Sequence, residues 1–414
     1  MLDRRAKRGQ NGRWLQGRAG GCRLLKGECV LRPLDGVLVV SVEQAIAAPY
    51  CTRLLADQGA RVIKVERPDG GDFARAYDKR ARGLSSHFVW TNRSKESLVL
   101  DLKDEVAVEM LKAILRQADV FVQNLAPGAA ARLGLGPDEL RSANPKLITC
   151  AISGYGNGGP DERRKAYDLL VQAEAGILSV TGTSEAVAKP GIPVADIAAG
   201  ISAYNSMLAA LLLRARTGKG DHIDVSMLEA TAEWLGFPMY YAIDGQGPPP
   251  RSGARHATIC PYGPYETSDG TVFLGIQNER EWRLFASDVL GDAALADDPR
   301  FDTGERRTAH RDELEPLVAS AMKALSTDEA LARLESAGIG TARVNDMAGL
   351  WAHAQLAARD RWREFGSPAG QLPGLRPVTG EGWEPRLDPV PALGEHTEAI
   401  LAEFGLAPAE GGGQ

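Results

Sequence analysis

The sequence lacks the signatures of several common functional classes. Its five cysteines include no Cys-x-x-Cys pair and its six histidines show no metal-ligand spacing, so neither a disulfide framework nor a metal site is predicted. It contains no Gly-x-x-x-x-Gly-Lys-Ser/Thr phosphate loop and no Gly-x-Ser-x-Gly elbow, which argues against P-loop nucleotidases and α/β-hydrolases. No apolar run is predicted to span a membrane. The odd, scattered cysteines indicate reduced thiols in a cytoplasmic protein.

The charge is unevenly distributed along the 414 residues. Residues 1–33 hold nine Lys or Arg against two Asp or Glu, so the net charge of this segment is +7. The net charge of the whole chain is −6, so the remainder carries −13. An acidic body argues against a nucleic-acid-binding protein, because such proteins present a basic face. The basic segment has no apolar core and is therefore not a secretory signal. We expect it to be a disordered arm or a start assigned too early, with no function.

Short β-branched runs alternate with helical stretches from residue 34 onward, which predicts a parallel sheet with helices on its faces. The predicted strands cover 37–42, 61–66, 119–123, 147–153 and 222–226, and the predicted helices cover 49–58, 104–118, 168–180, 197–216 and 227–242. A Gly/Pro-rich break at 245–253 precedes a hairpin at 264–267 and 271–276, then helices at 279–290, 312–323 and 327–337. We therefore predict an α/β fold with a large domain over 34–228, a small domain over 229–330, and a return to the large domain over 331–414.

Asp196 stands in an otherwise small and apolar run, Val-Ala-Asp-Ile-Ala-Ala-Gly. A carboxylate is costly to bury there unless something pairs with it or uses it. One interpretation is that Asp196 is the N-cap of the apolar helix that follows, because Asp is favoured at that position. The other is that it is a nucleophile for covalent chemistry on an acyl group. The two roles are compatible.

Two further patterns concern ligand binding. Residues 154–160, Gly-Tyr-Gly-Asn-Gly-Gly-Pro, follow a predicted strand, but Pro160 and a charged run replace the helix that a dinucleotide fingerprint requires. This segment is predicted to be a loop, either plain or in contact with a ligand, and no NAD site is expected. Basic residues also recur at strand ends, where ligands of parallel sheets bind. A group of separated cations there suits a ligand with several phosphates, although each alone is also typical of solvated surface; the residues are Arg67, Lys103, Arg132 and Lys165.

Taken together, these segments resemble the class III CoA-transferase family, the CaiB/BaiF group, from Pro33 to about Phe404. The resemblance lies in the order and spacing of Pro-Leu-Asp-Gly-Val at 33–37, Ala-Ala-Pro at 47–49, Gly-Ala-Arg-Val-Ile-Lys-Val-Glu-Arg-Pro at 59–68, Asn-Arg-Ser-Lys at 92–95, Leu-Asp-Leu-Lys at 100–103, Ser-Gly-Tyr-Gly at 153–156, Tyr167-Asp168, Ala195-Asp196 and Pro-Ala-Leu-Gly-Glu-His-Thr at 391–397. It implies a Rossmann-like large domain with a smaller α+β domain, in a homodimer of interlocked rings.

The resemblance also implies the roles of individual residues. Asp196 matches the family's nucleophile, Asp168 an auxiliary acid, and Gly156 and Gly158 a loop that covers the site. Coenzyme A, as co-substrate, would be held by Arg67, Lys103, Asn124, Arg132, Lys165 and Tyr167, with Gln44 a weaker match. No metal, NAD, nucleic acid or membrane partner is implied.

The substrates follow from a finer resemblance at residues 72–75 and 83–92, to the branch that handles C4 and C5 dicarboxylic acids. It implies transfer of CoA from succinyl-CoA, or another short dicarboxyl-CoA, to itaconate, mesaconate, citramalate or malate. Arg75, Arg255 and His256 are candidates for the second carboxylate of the acceptor. The alternatives are an intramolecular mesaconyl-CoA C1–C4 isomerase and an α-methylacyl-CoA racemase. The racemases place a His where this chain has Tyr167, whose pKa makes it a poor base at neutral pH.

Overall fold

The computed structural model describes residues 23–25 and 28–406, with side chains described from residue 31. Within the basic extension it contains a short antiparallel hairpin, β1 (Arg23–Leu25) and β2 (Glu28–Val30). The expectations for residues 1–22 lie outside the described residues. The chain divides into two compact units: the first comprises 1–166, 195–230 and 362–414, and the second comprises 167–194 and 231–361. The second unit thus includes 167–194 and ends at 361, later than the boundary of 330 expected from the sequence.

A six-stranded parallel sheet forms the first unit and confirms the predicted α/β class. Its strands are β3 (Leu38–Val42), β4 (Arg61–Glu66), β5 (Lys95–Val99), β6 (Val120–Gln123), β7 (Ile148–Ser153) and β8 (His222–Ser226). Their order is β5-β4-β3-β6-β7-β8. The chain therefore builds outward from β3 to one edge and returns to build on its other side. A crevice for ligands is expected at the carboxyl ends of the neighbouring strands β3 and β6, because the strand order reverses between them.

Helices connect these strands in the first half of the chain. They are α1 (Ala47–Asp57), α2 (Ser86–Asn92), α3 (Glu105–Leu115), α4 (Ala129–Arg132) and α5 (Pro137–Ala143), with a short 3-10 helix at Phe73–Ala76. Apolar residues of β3, β4 and β5 form one buried cluster with those of α3. β5, α2, α4 and α5 were not predicted. The first three residues of β5 are Lys-Glu-Ser, so the strand is not recognised as an apolar run.

Two predicted helices are interrupted. The helix predicted over 168–180 consists of α6 (Asp168–Glu174) and α7 (Ile177–Val180), because Gly176 adopts a φ of +93° between them. The helix predicted over 227–242 is likewise split, into α9 (Met227–Glu233) and α10 (Gly236–Tyr241).

The helix predicted over 197–216 is α8, Val194–Thr217. By length and composition α8 could cross a membrane, contrary to the expectation of no such run, but core helices of soluble proteins pass the same test. One face of α8 is buried in the first unit through small residues; these are Ala195, Ala198, Ala199, Gly200 and Ala203.

The second unit carries a three-stranded antiparallel sheet of β9 (Tyr262–Glu266), β10 (Thr271–Gly275) and β11 (Gly340–Arg343), in the order β11-β10-β9. The predicted hairpin is β9 and β10. Its helices are α11 (Glu279–Leu284), α12 (Gly304–Ala309), α13 (Arg311–Lys323), α14 (Thr327–Ser336), α15 (Met347–Trp351) and α16 (Ala354–Ala358). Trp282, Phe285 and Phe301 are among the fully buried side chains of its core.

The chain returns to the first unit at Trp362. There it forms a hairpin of β12 (Trp362–Phe365) and β13 (Leu372–Leu375), and ends in α17 (Thr397–Glu403). Ile400 and Leu401 of α17 join the buried cluster of β3, β4 and β5. The structure thus places residues from 362 onward in the first unit, whereas the sequence analysis expected the return to begin at residue 331.

Candidate active site

A cavity of about 560 Å³ lies at the carboxyl ends of β3 and β4, beside the point between β3 and β6 where the strand order reverses. Segments that follow β3, β4, β5 and β6 supply its walls, so residues far apart in sequence meet there. The lining residues are Val42, Glu43, Gln44, Val65, Glu66, Arg67, Gly71, Asp72, Leu100, Asp101, Leu102, Lys103, Leu125, Ala129, Arg132 and Leu133. This position is the one at which open α/β sheets bind nucleotides.

Three of the four basic residues predicted to contact phosphates line this cavity. Arg67, Lys103 and Arg132 are all exposed, and none of them forms an ion pair with any residue that the structure describes. The Nε of Arg67 donates to the carbonyl oxygen of Gly71 over 2.8 Å, which fixes the direction of its guanidinium group. Cations without a protein counterion at the rim of an apolar cavity suit a polyphosphorylated ligand.

Asn124 lies after β6 and fastens the turn that follows β3. Its Oδ1 accepts from the backbone N–H of Gln44 over 2.9 Å, and its Nδ2 donates to the carbonyl oxygen of Gln44 over 2.9 Å. This two-way hydrogen bond occupies the amide, so Asn124 shapes the cavity through Gln44, a cavity-lining residue. The predicted direct contact of Asn124 with CoA stays a prediction.

Behind the cavity lies a group of buried charges that the sequence analysis did not assign. Glu43 accepts hydrogen bonds from Thr52 and Lys95 over 2.7 Å each, and Lys64 donates to Asp72 over 2.7 Å. Glu43, Lys64, Asp72 and Lys95 are each at most 3% exposed. A signal was present in the sequence, because the alternation Val-Ile-Lys-Val-Glu puts charges inside a strand buried on both faces.

The pKa values of these groups reflect both burial and pairing. Burial lowers the pKa of Lys95 to about 8, although Glu43 opposes this shift. Burial alone would raise the pKa of Glu43, but Lys95 and Lys64 hold it below its usual range. Burial would also raise the pKa of Glu66, but hydrogen bonds from Arg75 and the charge of Lys64 lower it to about 2. The carboxylates of Glu43 and Glu66 are therefore ionised at neutral pH.

Asp196 is the third residue of α8, in its first turn. The helix begins at Val194, so the prediction that Asp196 is the N-cap was wrong. A carboxylate in the first turn still interacts favourably with the positive end of the helix dipole. It is partly buried, and it forms contacts with its surroundings.

Helix packing brings the start of α8 to the start of α1. Gly200 lies one turn after Asp196 on the same face, and a Cβ at Gly200 would stand 2.8 Å from the carbonyl oxygen of Ala47 and 3.0 Å from Cδ1 of Tyr50. The glycine thus permits close contact with the first turn of α1. Because that turn follows Gln44, the cavity and the face that carries Asp196 flank the same segment of chain.

The predicted glycine-rich loop follows β7 and is held to the neighbouring strand. Gly156 and Gly158 have φ values of +83° and +80°, which favour glycine. The N–H of Gly156 donates to Oγ of Ser153, that of Asn157 to Oδ2 of Asp224, and that of Gly158 to Oε2 of Glu162. The loop has a defined conformation at the carboxyl edge of the sheet.

The segment that carries Lys165, Tyr167 and Asp168 crosses from the first unit to the second after residue 166. Lys165 and Tyr167 are exposed. Asp168 is the first residue of α6, where its carboxylate accepts a hydrogen bond from Nε2 of Gln172. Their predicted roles toward CoA stay predictions.

The three candidates for an acceptor carboxylate have different environments. Arg75 donates two hydrogen bonds to Glu66, of 2.7 and 2.8 Å, and its guanidinium stacks 3.8 Å from the centre of the Phe88 ring. These contacts give Arg75 a structural role. Arg255, in the second unit, is half-exposed and pairs with Glu315 over 3.1 Å.

His256, the third candidate, belongs to the second unit. Its ring stacks on Tyr262 with a centroid separation of 5.2 Å, and its Nδ1 accepts from the N–H of Thr258. That acceptor role places the proton of a neutral His256 on Nε2. Arg255 has a carboxylate partner as Arg75 does, so an acceptor contact by any of the three candidates stays a prediction.

Among the described residues, no group of three or more His, Cys, Asp or Glu side chains is placed to hold a metal ion. The described cysteine side chains, Cys51, Cys150 and Cys260, are free and buried. Burial raises the pKa of the thiols of Cys150 and Cys260 to about 12 each, so neither is a reactive thiolate at neutral pH.

Comparison with known proteins identifies the family. The model of CoA-transferase family III matches residues 34–397. The succinate–glutarate CoA-transferase of Agrobacterium fabrum is 35% identical over 384 residues, covering 90% of this chain and 96% of the relative. The acetyl-CoA:oxalate CoA-transferase of Acetobacter aceti is 34% identical, with coverage of 90% and 96%. The crystal structure of a CAIB/BAIF family protein from Brucella suis has a TM-score of 0.80 at 34% identity, with coverage of 90% and 100%.

These findings confirm the resemblance drawn from the sequence. The fold is an α/β fold with a six-stranded parallel sheet and a cation-rimmed cavity, and the chain belongs to CoA-transferase family III. It is a CoA-transferase, and members of this family use CoA thioesters as co-substrates.

Proposed function

We propose that this enzyme transfers CoA from succinyl-CoA to a short dicarboxylic acid, with Asp196 as the nucleophile. The observation that carries the proposal is the convergence of the cation-rimmed cavity and the Asp196 face of α8 on the turn after β3. The relative named for succinate and glutarate supports the donor and adds glutarate to the candidate acceptors.

Coenzyme A would bind with its nucleotide in the cavity. Arg67, Lys103 and Arg132 would neutralise its phosphates, while leucine side chains offer an apolar wall to the adenine; these are Leu100, Leu102, Leu125 and Leu133. Lys165 and Tyr167, after the glycine-rich loop, are proposed as further contacts because they stand in the family's motif. Asn124 would act through its hydrogen bonds to Gln44.

The chemistry needs a carboxylate that can be acylated and regenerated. An oxygen of Asp196 attacks the thioester carbonyl carbon and the C–S bond breaks. The CoA thiolate departs, and Asp196 and the succinyl group are joined in a mixed anhydride. The thiolate then attacks the aspartyl carbonyl, which releases succinate and leaves an aspartyl-CoA thioester. The acceptor carboxylate attacks that thioester, and the thiolate returns to the new acyl group, which regenerates Asp196. No external energy source is needed, because a thioester is consumed and a thioester is formed.

Three groups would assist this sequence. The loop of Gly156 and Gly158 would cover the anhydride and exclude water, which otherwise hydrolyses it. Asp168 is proposed as an auxiliary acid, and Arg255 or His256 would receive the second carboxylate of glutarate, itaconate, mesaconate, citramalate or malate.

We also propose a cytoplasmic homodimer. Several large apolar side chains of the described chain are exposed, among them Leu212, Trp234, Phe237, Met239 and Tyr240. Patches of this kind are typical of protein–protein interfaces. The family resemblance suggests that two chains interlock, and light scattering after gel filtration would report twice the 44.3 kDa chain mass.

The proposal is tested by trapping the acylated enzyme. Protein incubated with succinyl-CoA and treated with hydroxylamine should carry a modification at Asp196, mapped by mass spectrometry and lost in Asp196→Ala. Asp168→Asn serves as a comparison, because it should retain the adduct. A panel of acceptors from oxalate to glutarate then ranks the acids by kcat/KM.

Other outcomes would redirect the assignment. Adducts with other acyl-CoAs but none with succinyl-CoA would change the donor. No adduct, together with α-proton exchange on a branched acyl-CoA, would replace the proposal with a racemase. Mesaconyl-CoA that isomerises without a free acid would indicate intramolecular transfer.

A further inference from the structure

We infer that Asp72, paired with the buried Lys64, is a positioning residue that holds the turn after β3 in the shape needed to bind CoA. This inference rests on the proposed function. Asp72 is not itself required to touch the substrate, since its carboxylate oxygens both bond to the protein.

The hydrogen bonds of Asp72 join two separate segments. Its Oδ1 accepts from the backbone N–H of Ala45 over 3.0 Å and from that of Ala74 over 2.9 Å, while its Oδ2 accepts from Nζ of Lys64 over 2.7 Å. The N–H of Asp72 in turn donates to Oε2 of Glu66 over 3.0 Å. A single side chain therefore fastens the turn after β3 to the segment after β4.

The turn needs such a fastening because its backbone is strained. Ala45 has a φ of +63°, a left-handed conformation that residues with a Cβ adopt at an energetic cost. Ile46, the N-cap of α1, makes no side-chain cap hydrogen bond. The turn is instead held by hydrogen bonds from two successive backbone N–H groups, that of Gln44 to Asn124 and that of Ala45 to Asp72.

Lys64 keeps this fastening in place through its charge. The side chains of Lys64 and Glu43 are fully buried, and Lys64 lies 2.7 Å from Asp72 and 3.4 Å from Glu43. Lys95, also buried, contacts Glu43 over 2.7 Å. Two cations and two anions thus balance, and removal of one would leave a buried charge without its partner.

The turn reaches both parts of the proposed site. Glu43 and Gln44 line the cavity. Two residues after Ala45, the carbonyl oxygen of Ala47 meets α8 at Gly200, one helical turn from Asp196. A change in the turn would therefore alter the cavity wall and the contact surface of α8 together.

The competing explanation is that the Asp72 pair only stabilises the fold. The chain offers a matched control in Asp57, which is equally buried at 2% and pairs with Arg53 over 2.7 Å and Arg93 over 2.8 Å. Asp57 is the last residue of α1, at the end opposite the turn, and it does not line the cavity. Loss of either aspartate breaks a buried ion pair, but only loss of Asp72 releases the turn.

The test compares Asp72→Ala and Asp57→Ala in the full-length enzyme. Calorimetric titration with CoA, well below both unfolding temperatures, should give a Kd at least tenfold above wild type for Asp72→Ala and within about twofold for Asp57→Ala. The kcat/KM for succinyl-CoA should fall in the same order. If Asp72→Ala does not fold, Asp72→Asn with Asp57→Asn provides the same comparison.

Equal Kd values for the two variants would overturn the inference and leave Asp72 as a stabilising residue. The pair Lys64→Met with Asp72→Asn adds a rescue test, since Oδ1 of the new amide can still accept from Ala45 once the opposing ammonium is gone. This double variant should bind CoA more tightly than Asp72→Ala, and equal binding would contradict the role of the turn. Wild-type enzyme that fails to bind CoA would overturn the proposed function itself.

Discussion

Substitution of Gly200 by alanine should lower kcat without changing the Kd for CoA. A Cβ there would lie 2.8 Å from the backbone oxygen of Ala47, whereas ordinary contact begins at 3.4 Å. The Tyr50 ring can rotate away, but the backbone oxygen cannot, because α1 is fixed at its start by the bonds at Gln44 and Ala45. The α8 helix must therefore move by about 0.6 Å, the difference between these two distances.

That movement would shift Asp196 relative to the bound thioester. A misplacement of about 1 Å in a reacting group costs on the order of 100-fold in rate, so a shift about half as large should lower kcat by roughly tenfold. The Kd for CoA should stay within about twofold, because Gly200 does not line the cavity. A larger side chain, as in Gly200→Val, should lower kcat further.

The assay is the rate of succinyl-CoA-dependent transfer, with CoA binding measured separately by calorimetry. Ser206→Ala, an exposed position on α8, serves as the control and should retain the wild-type kcat. In an open helix, Gly to Ala stabilises by about 1 kcal/mol. A Gly200→Ala variant that is more stable than wild type with unchanged kcat would therefore refute the close contact and the placement of Asp196.

Three further results are expected. The pKa of Glu66 is about 2 in the folded protein and 4.5 ordinarily, so its ionised form should contribute about 3 kcal/mol to the free energy of unfolding above pH 4.5, and this contribution is lost as the pH falls from 4.5 to 2. In Glu66→Gln, the free energy of unfolding measured in urea should depend less on pH over this range. Equal slopes for the variant and the wild type would contradict the pairing. Arg75→Met should destabilise the fold by roughly 3 kcal/mol without a selective rise in the acceptor KM, and such a rise would restore Arg75 as an acceptor contact. Gly220→Ala, whose Cβ would stand 2.0 Å from the backbone oxygen of Leu147, should lower the melting temperature while kcat, measured on folded protein, stays unchanged.

The sequence predicted the fold well where the chain follows simple periodic patterns. The strand at Arg61–Glu66 has the predicted bounds, because a buried parallel strand is a continuous run with β-branched residues. β5 was missed because Lys95 and Ser97 are polar yet buried; Lys95 pairs with Glu43, which follows β3, and Ser97 bonds to Glu66 of β4. Such pairs exist only after the sheet has formed, so no local pattern announces them.

The candidate site was predicted unevenly for a similar reason. Arg67, Lys103 and Arg132 were found because cations at the ends of parallel strands converge on one edge of the sheet. Arg75 was placed at the acceptor, but the structure gives it Glu66 as a partner, nine residues earlier in sequence. Sequence shows which residues can bind an anion, and only the tertiary structure shows which of them already have one.

The buried charges behind the cavity explain why a costly arrangement suits this enzyme. An apolar replacement of a buried ion pair is often neutral or stabilising, so stability alone does not account for Lys64 and Asp72. Apolar side chains at both positions would remove the buried charges, but a leucine in place of Asp72 could not accept from the N–H of Ala45. The turn after β3 lies between the cavity and the contact with α8, and its strained backbone needs a directional acceptor rather than apolar surface. On this argument the charged pair is retained for the geometry of the turn, and replacement of the pair should lower the affinity for CoA more than it lowers the free energy of unfolding.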